Sequence, residues 1–355
     1  MPIENPDRLL TVAVVGATGL VGRTMLEILT ERGFPVGELR PLASRADGRS
    51  VEACGRTWPV AVSSPESFEG VDIALFSAGG DTSAALAPEA ARRGAVVVDN
   101  SSQWRMTEGV PLVVAGVNDD DAADHEGIIA NPNCSTMQLM PVFRAIHDAV
   151  GIDRAIVDTY QAVSGTGNKA VAELDAQVRA YADDEALTAE VYPHQIAFNA
   201  LPQVDVFTDD GYTKEEHKLI DESRKILHLP DLRISCTAVR IPVFTAHSEA
   251  VHLELAEALD PAAARELLAA VPGVIVQDEP AAAEYPLALD AAGRDEVFVG
   301  RIRQDHSAPA GRGLAFWVVS DNLRKGAATN AVEIAELLVR RDWLTAASRR
   351  AIGVA

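Results

Sequence analysis

Basic residues and cysteines are scarce in this chain, and each shortage excludes a class of function. The 355 residues carry 31 Lys and Arg against 52 Asp and Glu, which gives a formal net charge of −21. Such a surface repels a phosphate backbone, so nucleic acid is excluded as the main partner, although local arginines can still bind a small anion. Three cysteines cannot build a disulfide framework in a chain of this length, which fits a reducing compartment.

A membrane-spanning run and a secretory signal are also missing. The beginning of the sequence, MPIENPDRLL, has no basic stretch followed by an apolar core, so no secretory signal is evident. The apolar run from Leu9 to Gly22 is too short to span a bilayer and contains three glycines. We therefore expect a cytoplasmic protein with no membrane partner.

The pattern of predicted strands and helices changes along the sequence, and this predicts two domains. Two domains also fit the chain length. Up to about residue 130, short apolar runs alternate with helical patterns, and this predicts a parallel sheet covered on both faces. The predicted strands are 11–15, 39–43, 72–76, 95–99, 112–115 and 128–130, and the predicted helices are 20–31, 82–93 and 135–149.

After Gly151 the predicted strands become longer, which indicates an α+β domain with a mostly antiparallel sheet. These strands are 154–161, 231–243, 247–256, 297–303 and 314–320, and the helices are 169–181, 214–228 and 261–270. A last helix, 327–340, is expected to return to the first domain and make that domain discontinuous.

The stretch TVAVVGATGLVGRTMLEIL places Gly16, Gly19 and Gly22 between a predicted strand and a predicted helix. Glycines permit a tight turn and a close backbone approach, and the helix N-terminus offers free N–H groups to a pyrophosphate. The pattern predicts a Rossmann-like dinucleotide site. A glycine turn that only eases packing is the structural alternative.

The end of the second predicted strand, PLASRADGR, indicates which dinucleotide is bound. NAD sites commonly carry an acid here, whereas this chain has Ser44 and Arg45 and no acid before Asp47. A hydroxyl and a guanidinium suit a 2′-phosphate, so NADP is favoured, and a solvated surface arginine is the alternative. The small residues of FSAGG, at 76–80, are placed to line the same crevice.

The segment NPNCST places Cys134 at a predicted helix N-terminus. The helix dipole favours the thiolate there, and a thiolate is the nucleophile that acyl transfer needs. Position alone leaves an inert, buried cysteine equally open. Cys54 and Cys236 are interpreted as structural.

Polar residues of the second domain offer partners for such a nucleophile. His247 lies between two strand patterns, and Arg240 lies in the apolar run TAVRIPVF, where a buried guanidinium needs an anion. In YTKEEHKLIDESRKI, Glu216 completes a capping box, whereas Glu215 has no such task and precedes Lys218 by three residues. A turn histidine and a solvated ion pair are the structural alternatives.

Together these segments resemble the aspartate-β-semialdehyde dehydrogenase family over nearly the whole chain. The motifs are VGATGLVG (15–22), DNSSQWRM (99–106), ANPNCST (130–136), YQAVSGTG (160–167), VRIPVFTAHSE (239–249) and DNLRKGAATN (321–330). The resemblance implies a Rossmann-like NADP-binding domain at 1–133 and 322–355. It implies a catalytic and dimerisation domain at 134–321.

The resemblance also implies roles for individual residues. Cys134 is the implied nucleophile and His247 the implied acid/base. The implied substrate contacts are Arg105 at the phosphate site, Gln161 for positioning, Glu215 and Lys218 for the amino and anionic groups, and Arg240 for the carboxylate. The expected cofactor contacts are Gly16, Thr18, Gly19, Leu20, Val21, Gly22, Ser44, Arg45, Ser77, Gly79, Ser164, Gly165 and Asn322, and no metal is expected.

The implied reaction is the NADPH-dependent reduction of L-aspartyl-4-phosphate to L-aspartate 4-semialdehyde and phosphate through a thioacyl intermediate on Cys134. It belongs to the biosynthesis of diaminopimelate, lysine, threonine, methionine and isoleucine. The implied partners are small-molecule substrates and further copies of the chain, as a homodimer or a dimer of dimers.

Two alternative functions remain open. One is an enzyme of the N-acetylglutamyl-phosphate reductase or glyceraldehyde-phosphate dehydrogenase type. An N-acetylated substrate has no ammonium to pair with Glu215, so Glu215 and Lys218 discriminate against that alternative. The other is a non-catalytic paralogue that binds NADP.

Overall fold

The computed structural model describes residues 9–344, which divide into two compact units. The N-terminal unit holds the described residues 9–133 and 327–344, and the central unit is Cys134–Gly326. Each unit contains one six-stranded sheet. In residues 9–344 no helix is both long enough and apolar enough to cross a membrane.

Parallel strands form the sheet of the N-terminal unit. The unit contains the strands β1 (Leu10–Val15), β2 (Val36–Ala43), β3 (Ser50–Ala53), β4 (Arg56–Pro59), β5 (Ala61–Val62), β6 (Ile73–Phe76), β7 (Val96–Asp99) and β8 (Ile128–Ala130). The sheet order is β5-β2-β1-β6-β7-β8, and β3 and β4 form a separate hairpin. The helices are α1 (Leu20–Glu31), α2 (Gly80–Arg92) and, from the end of the chain, α8 (Asn330–Arg340).

Apolar residues cover both faces of this sheet, as its unalternating strands predict. Val12 and Val14 belong to a core that includes residues of α1 and α8. Ala13 and Val15 point the other way, into a core that includes residues of α2. The predicted doubly covered parallel sheet is therefore confirmed.

The prediction of a strand at 112–115 is wrong. Only its first residue, Leu112, forms an isolated bridge to β8. The N–H of Val114 donates to Oδ1 of Asn118, and the N–H of Ala115 donates to Oδ1 of Asn330. Because side-chain amides satisfy these backbone groups, the segment leaves the sheet although its residues are apolar.

The central unit has a mixed sheet. Its strands are β9 (Ile152–Gln161), β10 (Arg233–Arg240), β11 (His247–Leu255), β12 (Val274–Val276), β13 (Val297–Gln304) and β14 (Gly313–Ser320), in the order β10-β9-β11-β14-β13-β12. The three central pairs are antiparallel, as predicted, whereas the pairs at both edges are parallel. The sequence interpretation did not include β12.

Helices of the central unit are α3 (Cys134–Val150), α4 (Asn168–Ala182), α5 (Lys214–Leu227), α6 (Pro261–Ala269) and α7 (Ala288–Ala291). Short 3₁₀ segments lie at Pro65–Phe68 and Asp119–Asp124 in the N-terminal unit, and at Val163–Thr166 and Pro280–Ala282 in the central unit. The last predicted helix begins three residues later than expected, at Asn330, because Arg324–Thr329 form a π-helical turn. Such turns are rare in proteins overall, and those that occur often lie at functional sites.

One row of side chains crosses the sheet beneath α3 and α5. Arg240 at the end of β10 pairs with Gln161 at the end of β9. On the other side of β9, Ser248 pairs with Tyr160, which brings His247 beside Gln161. All of Arg240, Gln161 and His247 are buried. The strand register therefore gathers three polar side chains at one end of the sheet.

The predicted capping box of α5 is confirmed. The N–H of Glu216 donates to Oγ1 of Thr213, and the N–H of Thr213 donates to the Glu216 carboxylate. The second oxygen of Glu216 accepts the N–H of Ala238 in β10 and so ties α5 to the sheet. The side chain of the preceding residue, Glu215, is directed to the row of polar side chains instead.

Candidate active site

A cysteine and a histidine form the centre of the site in the central unit. Cys134 is the first residue of α3, and its Sγ lies 3.3 Å from Nε2 of His247. The start of a helix favours a thiolate. His247 is 1% exposed, and burial together with the positive charge of Arg240 lowers its pKa to about 3. The imidazole is therefore neutral at physiological pH.

Backbone groups hold His247 in place. Nδ1 of the ring accepts the N–H of Ala162 at 3.0 Å. The preceding residue, Ala246, is fully buried and has a φ of 75°, which is uncommon for a residue with a side chain. Its N–H donates to Oδ1 of Asn322 at 2.9 Å.

Gln161 and Glu215 connect the sheet to α5. The Gln161 amide donates to Oε1 of Glu215 at 3.0 Å, and both side chains are buried. Oε2 of Glu215 lies 3.1 Å from Nζ of Lys218, which also lies 2.8 Å from the carboxylate of Asp205. Burial opposes the charge of Lys218, but Glu215 and Asp205 raise its pKa overall, so the ammonium is retained.

Arg240 is a cation whose side chain is buried in the central unit. Its Nη1 donates to the carbonyl oxygen of Ala162 at 2.5 Å. Within residues 9–344 its Nε has no hydrogen-bond partner, and no carboxylate forms an ion pair with it. The backbone of Gly165 lies against it, because an added Cβ would lie 3.2 Å from Nη1 of Arg240. A buried guanidinium in this state is suited to an anionic ligand.

Ser164 and Asn322 form a buried pair in the same unit. The Ser164 hydroxyl lies 3.2 Å from Oδ1 and 3.0 Å from Nδ2 of Asn322. An added Cβ at the next residue, Gly165, would lie 3.4 Å from Nε2 of His247. The turn from Val163 to Thr166 therefore borders the histidine.

The glycine turn of the N-terminal unit is closely packed. Gly16 has a φ of +85°, and an added Cβ would lie 2.4 Å from the carbonyl oxygen of Ser77. An added Cβ at Gly22 would lie 2.2 Å from the carbonyl oxygen of Gly16, so α1 contacts the turn through its backbone. Only glycine fits at these two positions, which is the geometry that a pyrophosphate-binding turn requires.

A cavity of about 610 Å³ lies beside this turn within the N-terminal unit. It is lined by Val15, Gly16, Thr18, Gly19, Ala43, Ser44, Ser63, Ser77, Ala78, Gly79, Asp81, Thr82, Ala85 and Leu86. Leu20 and Val21 lie in the first turn of α1. Arg45 follows the cavity-lining Ser44 and is exposed, so its guanidinium is accessible to a ligand.

Arg105 is also part of the N-terminal unit and is buried there. Its Nε donates to the carbonyl oxygen of Asn131 at 3.0 Å, and Nη2 donates to that of Asn100 at 2.7 Å. Both acceptors are backbone carbonyl groups, and these two bonds fix the direction of the guanidinium.

The central unit brings together nine of the predicted site residues, and the N-terminal unit holds the others. The nine are Cys134, Gln161, Ser164, Gly165, Glu215, Lys218, Arg240, His247 and Asn322. Sequence reasoning missed Asp205, the second partner of Lys218, because it lies in a long irregular segment without a motif. It also missed Ala246, because nothing in the sequence marks an alanine that adopts a left-handed backbone conformation.

Models of known protein families match both parts of the chain. Residues 11–125 match the family model described as semialdehyde dehydrogenase, NAD binding domain. Residues 143–325 match the model described as semialdehyde dehydrogenase, dimerisation domain. The chain belongs to the semialdehyde dehydrogenase family. The predicted family and the predicted class of oxidoreductase are thereby confirmed.

Relatives in this semialdehyde dehydrogenase family match over most of the chain. The aspartate-semialdehyde dehydrogenase of Aquifex aeolicus is 54% identical, over 94% of this chain and 99% of that protein. That of Bacillus subtilis is 52% identical, over 93% and 97%. A crystal structure of aspartate semialdehyde dehydrogenase II from Vibrio cholerae, complexed with ASA, superposes with a TM-score of 0.91 at 46% identity, over 94% of this chain and 99% of that one.

These relatives also confirm the predicted α/β fold with a Rossmann-like domain and a second domain that has its own sheet. The description of the second model agrees with the expected homodimer. Neither alternative, an N-acetylglutamyl-phosphate reductase-like enzyme or a non-catalytic paralogue, is favoured by these relatives.

Proposed function

We propose that this semialdehyde dehydrogenase reduces L-aspartyl-4-phosphate with NADPH to L-aspartate 4-semialdehyde and phosphate. The observation that carries this proposal is the contact between Cys134 and His247 near Arg240, a buried cation that pairs with no carboxylate of residues 9–344. The proposed pathway leads to diaminopimelate, lysine, threonine, methionine and isoleucine. Support comes from relatives that share more than half of their residues with this chain.

Cys134 is the proposed nucleophile. Its thiolate attacks the acyl carbon of the aspartyl phosphate, phosphate leaves, and a thioester remains on Sγ. We assign the phosphate group to Arg105 and Lys218, two cations that hydrogen bonds hold in defined positions. Loss of a thiolate completes the reaction, and a helix N-terminus makes that thiolate a better leaving group.

The amino-acid end of the substrate is assigned to Arg240 and Glu215. No carboxylate of the described chain, 9–344, pairs with Arg240, so the substrate α-carboxylate supplies the anion. A guanidinium binds a carboxylate with two parallel hydrogen bonds. Glu215 faces the substrate ammonium, and Gln161 fixes the orientation of its carboxylate. An acceptor for an ammonium favours a free amino acid over an N-acetylated substrate.

NADP is the proposed cofactor, and the N-terminal unit fits it. Gly16 and Gly22 provide the close backbone approach for a pyrophosphate, and Ser44 with Arg45 provides a hydroxyl and a cation for a 2′-phosphate. When bound, the reduced nicotinamide supplies the hydride. Ser164, Gly165 and Asn322 remain the proposed contacts at the nicotinamide end.

The assembly and location of the protein are also proposed. A homodimer formed through the central unit fits the family description, and we propose that two dimers associate into a tetramer. All three cysteines are free thiols, which suits the reducing cytoplasm. Light scattering on the purified protein distinguishes a dimer from a dimer of dimers.

A phosphate-dependent assay tests the reaction. Aspartate 4-semialdehyde and phosphate are expected to reduce NADP⁺, whereas N-acetylglutamate semialdehyde is expected to be inert. Cys134→Ser should lower kcat by about a thousandfold or more, because a serine hydroxyl is a far weaker nucleophile at neutral pH. NADP binding to the variant, measured by calorimetry, should be unchanged.

Two results would contradict the proposal. Turnover of N-acetylglutamate semialdehyde, with none of aspartate 4-semialdehyde, would indicate an enzyme of the N-acetylglutamyl-phosphate reductase type. Substantial activity of Cys134→Ser would remove Cys134 as the nucleophile.

A further inference from the structure

We infer that Asp205 is a specificity-determining residue of the active site, and that it acts through Lys218. Its carboxylate gives the charged group around Lys218 an excess of one negative charge. That group attracts the ammonium of the amino-acid substrate and holds phosphate only loosely. This inference rests on the proposed function and deepens it, because it adds a residue to the substrate contacts.

A short irregular segment before α5 brings Asp205 to the site. Leu201 and Arg240 exchange two backbone hydrogen bonds, of 2.9 and 2.8 Å, at the end of β10. Further along the segment, the carbonyl oxygen of Val206 accepts the N–H of Lys214, the first residue of α5. Asp205 is therefore held between the end of β10 and the start of α5.

The local backbone fixes the direction of the Asp205 side chain. Asp205 has a φ of 68°, in the left-handed region that aspartate and asparagine enter more readily than most residues. Its Oδ1 accepts the N–H of Val206 at 2.8 Å. Its Oδ2 accepts a hydrogen bond from Nζ of Lys218, also at 2.8 Å. Each carboxylate oxygen thus has its own donor, and the carboxylate is held in place from both sides.

The Lys218 cluster consists of Lys218, Glu215 and Asp205. Nζ of Lys218 lies 2.8 Å from the carboxylate of Asp205 and 3.1 Å from that of Glu215. Burial opposes the charge of Lys218, but the two carboxylates raise its pKa overall. Burial also opposes the charge of Asp205, but Lys218 keeps the pKa of Asp205 below its ordinary value. One ammonium faces two carboxylates, so the cluster has a formal net charge of −1.

Lys218 retains one donor for a ligand. An ammonium has three N–H donors, and the carboxylates of Asp205 and Glu215 accept two of them. Within residues 9–344 these are the two hydrogen bonds of Nζ. The side chain of Lys218 is 25% exposed, so a ligand can reach it. A phosphate oxygen at the third N–H lies near both carboxylates, and their repulsion offsets part of the attraction to the ammonium.

The same two carboxylates favour the substrate ammonium. A bound ammonium neutralises the cluster, whereas a bound phosphate adds further negative charge to it. The Gln161 amide holds Oε1 of Glu215 at 3.0 Å and keeps that carboxylate in the site. Phosphate is a product in the proposed direction of the reaction, so a loose hold on it favours its release.

Asp205→Asn removes the charge with little change of shape. Asparagine accepts the left-handed backbone and retains an acceptor oxygen, so the fold should be intact. The KM for phosphate should fall by about two- to fivefold, and the KM for aspartate 4-semialdehyde should rise by a similar factor. Solvent screening keeps both effects modest, because the Asp205 side chain is 33% exposed. A merely structural role would raise both KM values, and that result would overturn the inference.

Two further variants separate the charge of Asp205 from other effects. Asp205→Gly also lacks the charge, and glycine tolerates the positive φ, so it should lower the KM for phosphate as well. Asp209→Asn is the matched control, because Asp209 is exposed in the turn that the bond from the Thr208 N–H to the Tyr212 carbonyl closes. It should change neither KM. Equal effects of Asp209→Asn and Asp205→Asn would assign the shift to the net charge of the protein and overturn the role of Asp205.

Equilibrium binding gives a readout that does not depend on turnover. Calorimetry measures the Kd of inorganic phosphate in the presence of saturating NADP⁺, which occupies the proposed 2′-phosphate contacts. The Kd should be about two- to fivefold lower for Asp205→Asn than for the wild type, and the difference should shrink at high salt. An unchanged or higher Kd would overturn the inference even if aspartate 4-semialdehyde is turned over. If the Kd falls and no substrate is turned over, the proposed function fails alone.

Discussion

Gly326 lies directly against the Cys134 side chain. An added Cβ at Gly326 would lie 2.9 Å from Cβ and 3.3 Å from Cα of Cys134, closer than unstrained carbon atoms approach. Gly326 belongs to the π-helical turn Arg324–Thr329, and its N–H donates to the carbonyl oxygen of Asp321. The turn therefore supports the nucleophile through its backbone.

Gly326→Ala is expected to move Cys134 and to lower kcat by about ten- to a hundredfold, because a small misplacement of a nucleophile is costly. The measurement is steady-state kinetics together with the rate of alkylation of Cys134 by iodoacetamide, followed by peptide mass spectrometry. An unchanged thermal transition would show that the fold is intact. Wild-type kinetics and alkylation would show that the contact does not support the thiol.

Arg240→Met should raise the KM for aspartate semialdehyde by about ten- to a hundredfold. A hydrogen bond to a charged group contributes about 1.5–3 kcal/mol, and the methionine fills similar space without the charge. The KM for NADP should change much less, because Arg240 itself is not among the proposed cofactor contacts. A parallel rise in both KM values would indicate a general distortion in place of a lost carboxylate contact.

Arg45→Ala should lower the preference for NADPH over NADH by about tenfold, because the exposed guanidinium is assigned to the 2′-phosphate. Arg49 provides a matched control. It is a neighbouring exposed arginine that is paired with Asp47 at 3.4 Å. Arg49→Ala should leave the ratio of kcat/KM for the two cofactors unchanged. Equal effects of the two substitutions would remove the specific role of Arg45.

Glu249→Gln should stabilise the protein increasingly as the pH rises. Glu249 is fully buried, and burial raises its pKa well above the ordinary value; the nearby Gln138 opposes this shift and Glu215 adds to it. Above about pH 4.3 the unfolded carboxyl loses its proton while the folded one keeps it, so wild-type stability falls as the pH rises toward the folded pKa.

The glutamine variant lacks this dependence. The difference in unfolding free energy between variant and wild type should therefore widen from pH 5 to pH 8, by at most about 1.4 kcal/mol per pH unit. Thermal unfolding of both proteins at several pH values measures it. A difference that is constant with pH would mean that Glu249 ionises normally in the folded chain.

Local sequence signals predicted the elements that carry the site. Glycine spacing predicted the turn at Gly16, and the position of Cys134 predicted a helix start. The pair Thr213 and Glu216 predicted a capping box. Each signal depends on residues that are near each other in the chain, where backbone geometry and short-range hydrogen bonds decide the outcome. The family motifs added roles that no local signal contains.

Long-range packing decided what these elements do together. The contact between Cys134 and His247 joins residues 113 positions apart, and strand register alone brings Gln161 and Arg240 beside that histidine. A long-range contact also explains why the apolar segment 112–115 is not the predicted strand, since Oδ1 of Asn330 accepts the backbone N–H of Ala115.

The sequence by itself therefore determined the family, the two sheets and the identity of the candidate residues. Only the tertiary structure decided the partners of the buried His247 ring, the left-handed turn at Ala246 and the pairing of Lys218 with Asp205. The physical reason is that a buried donor or acceptor takes whichever partner the folded chain brings to it, and that partner lies far away in the sequence.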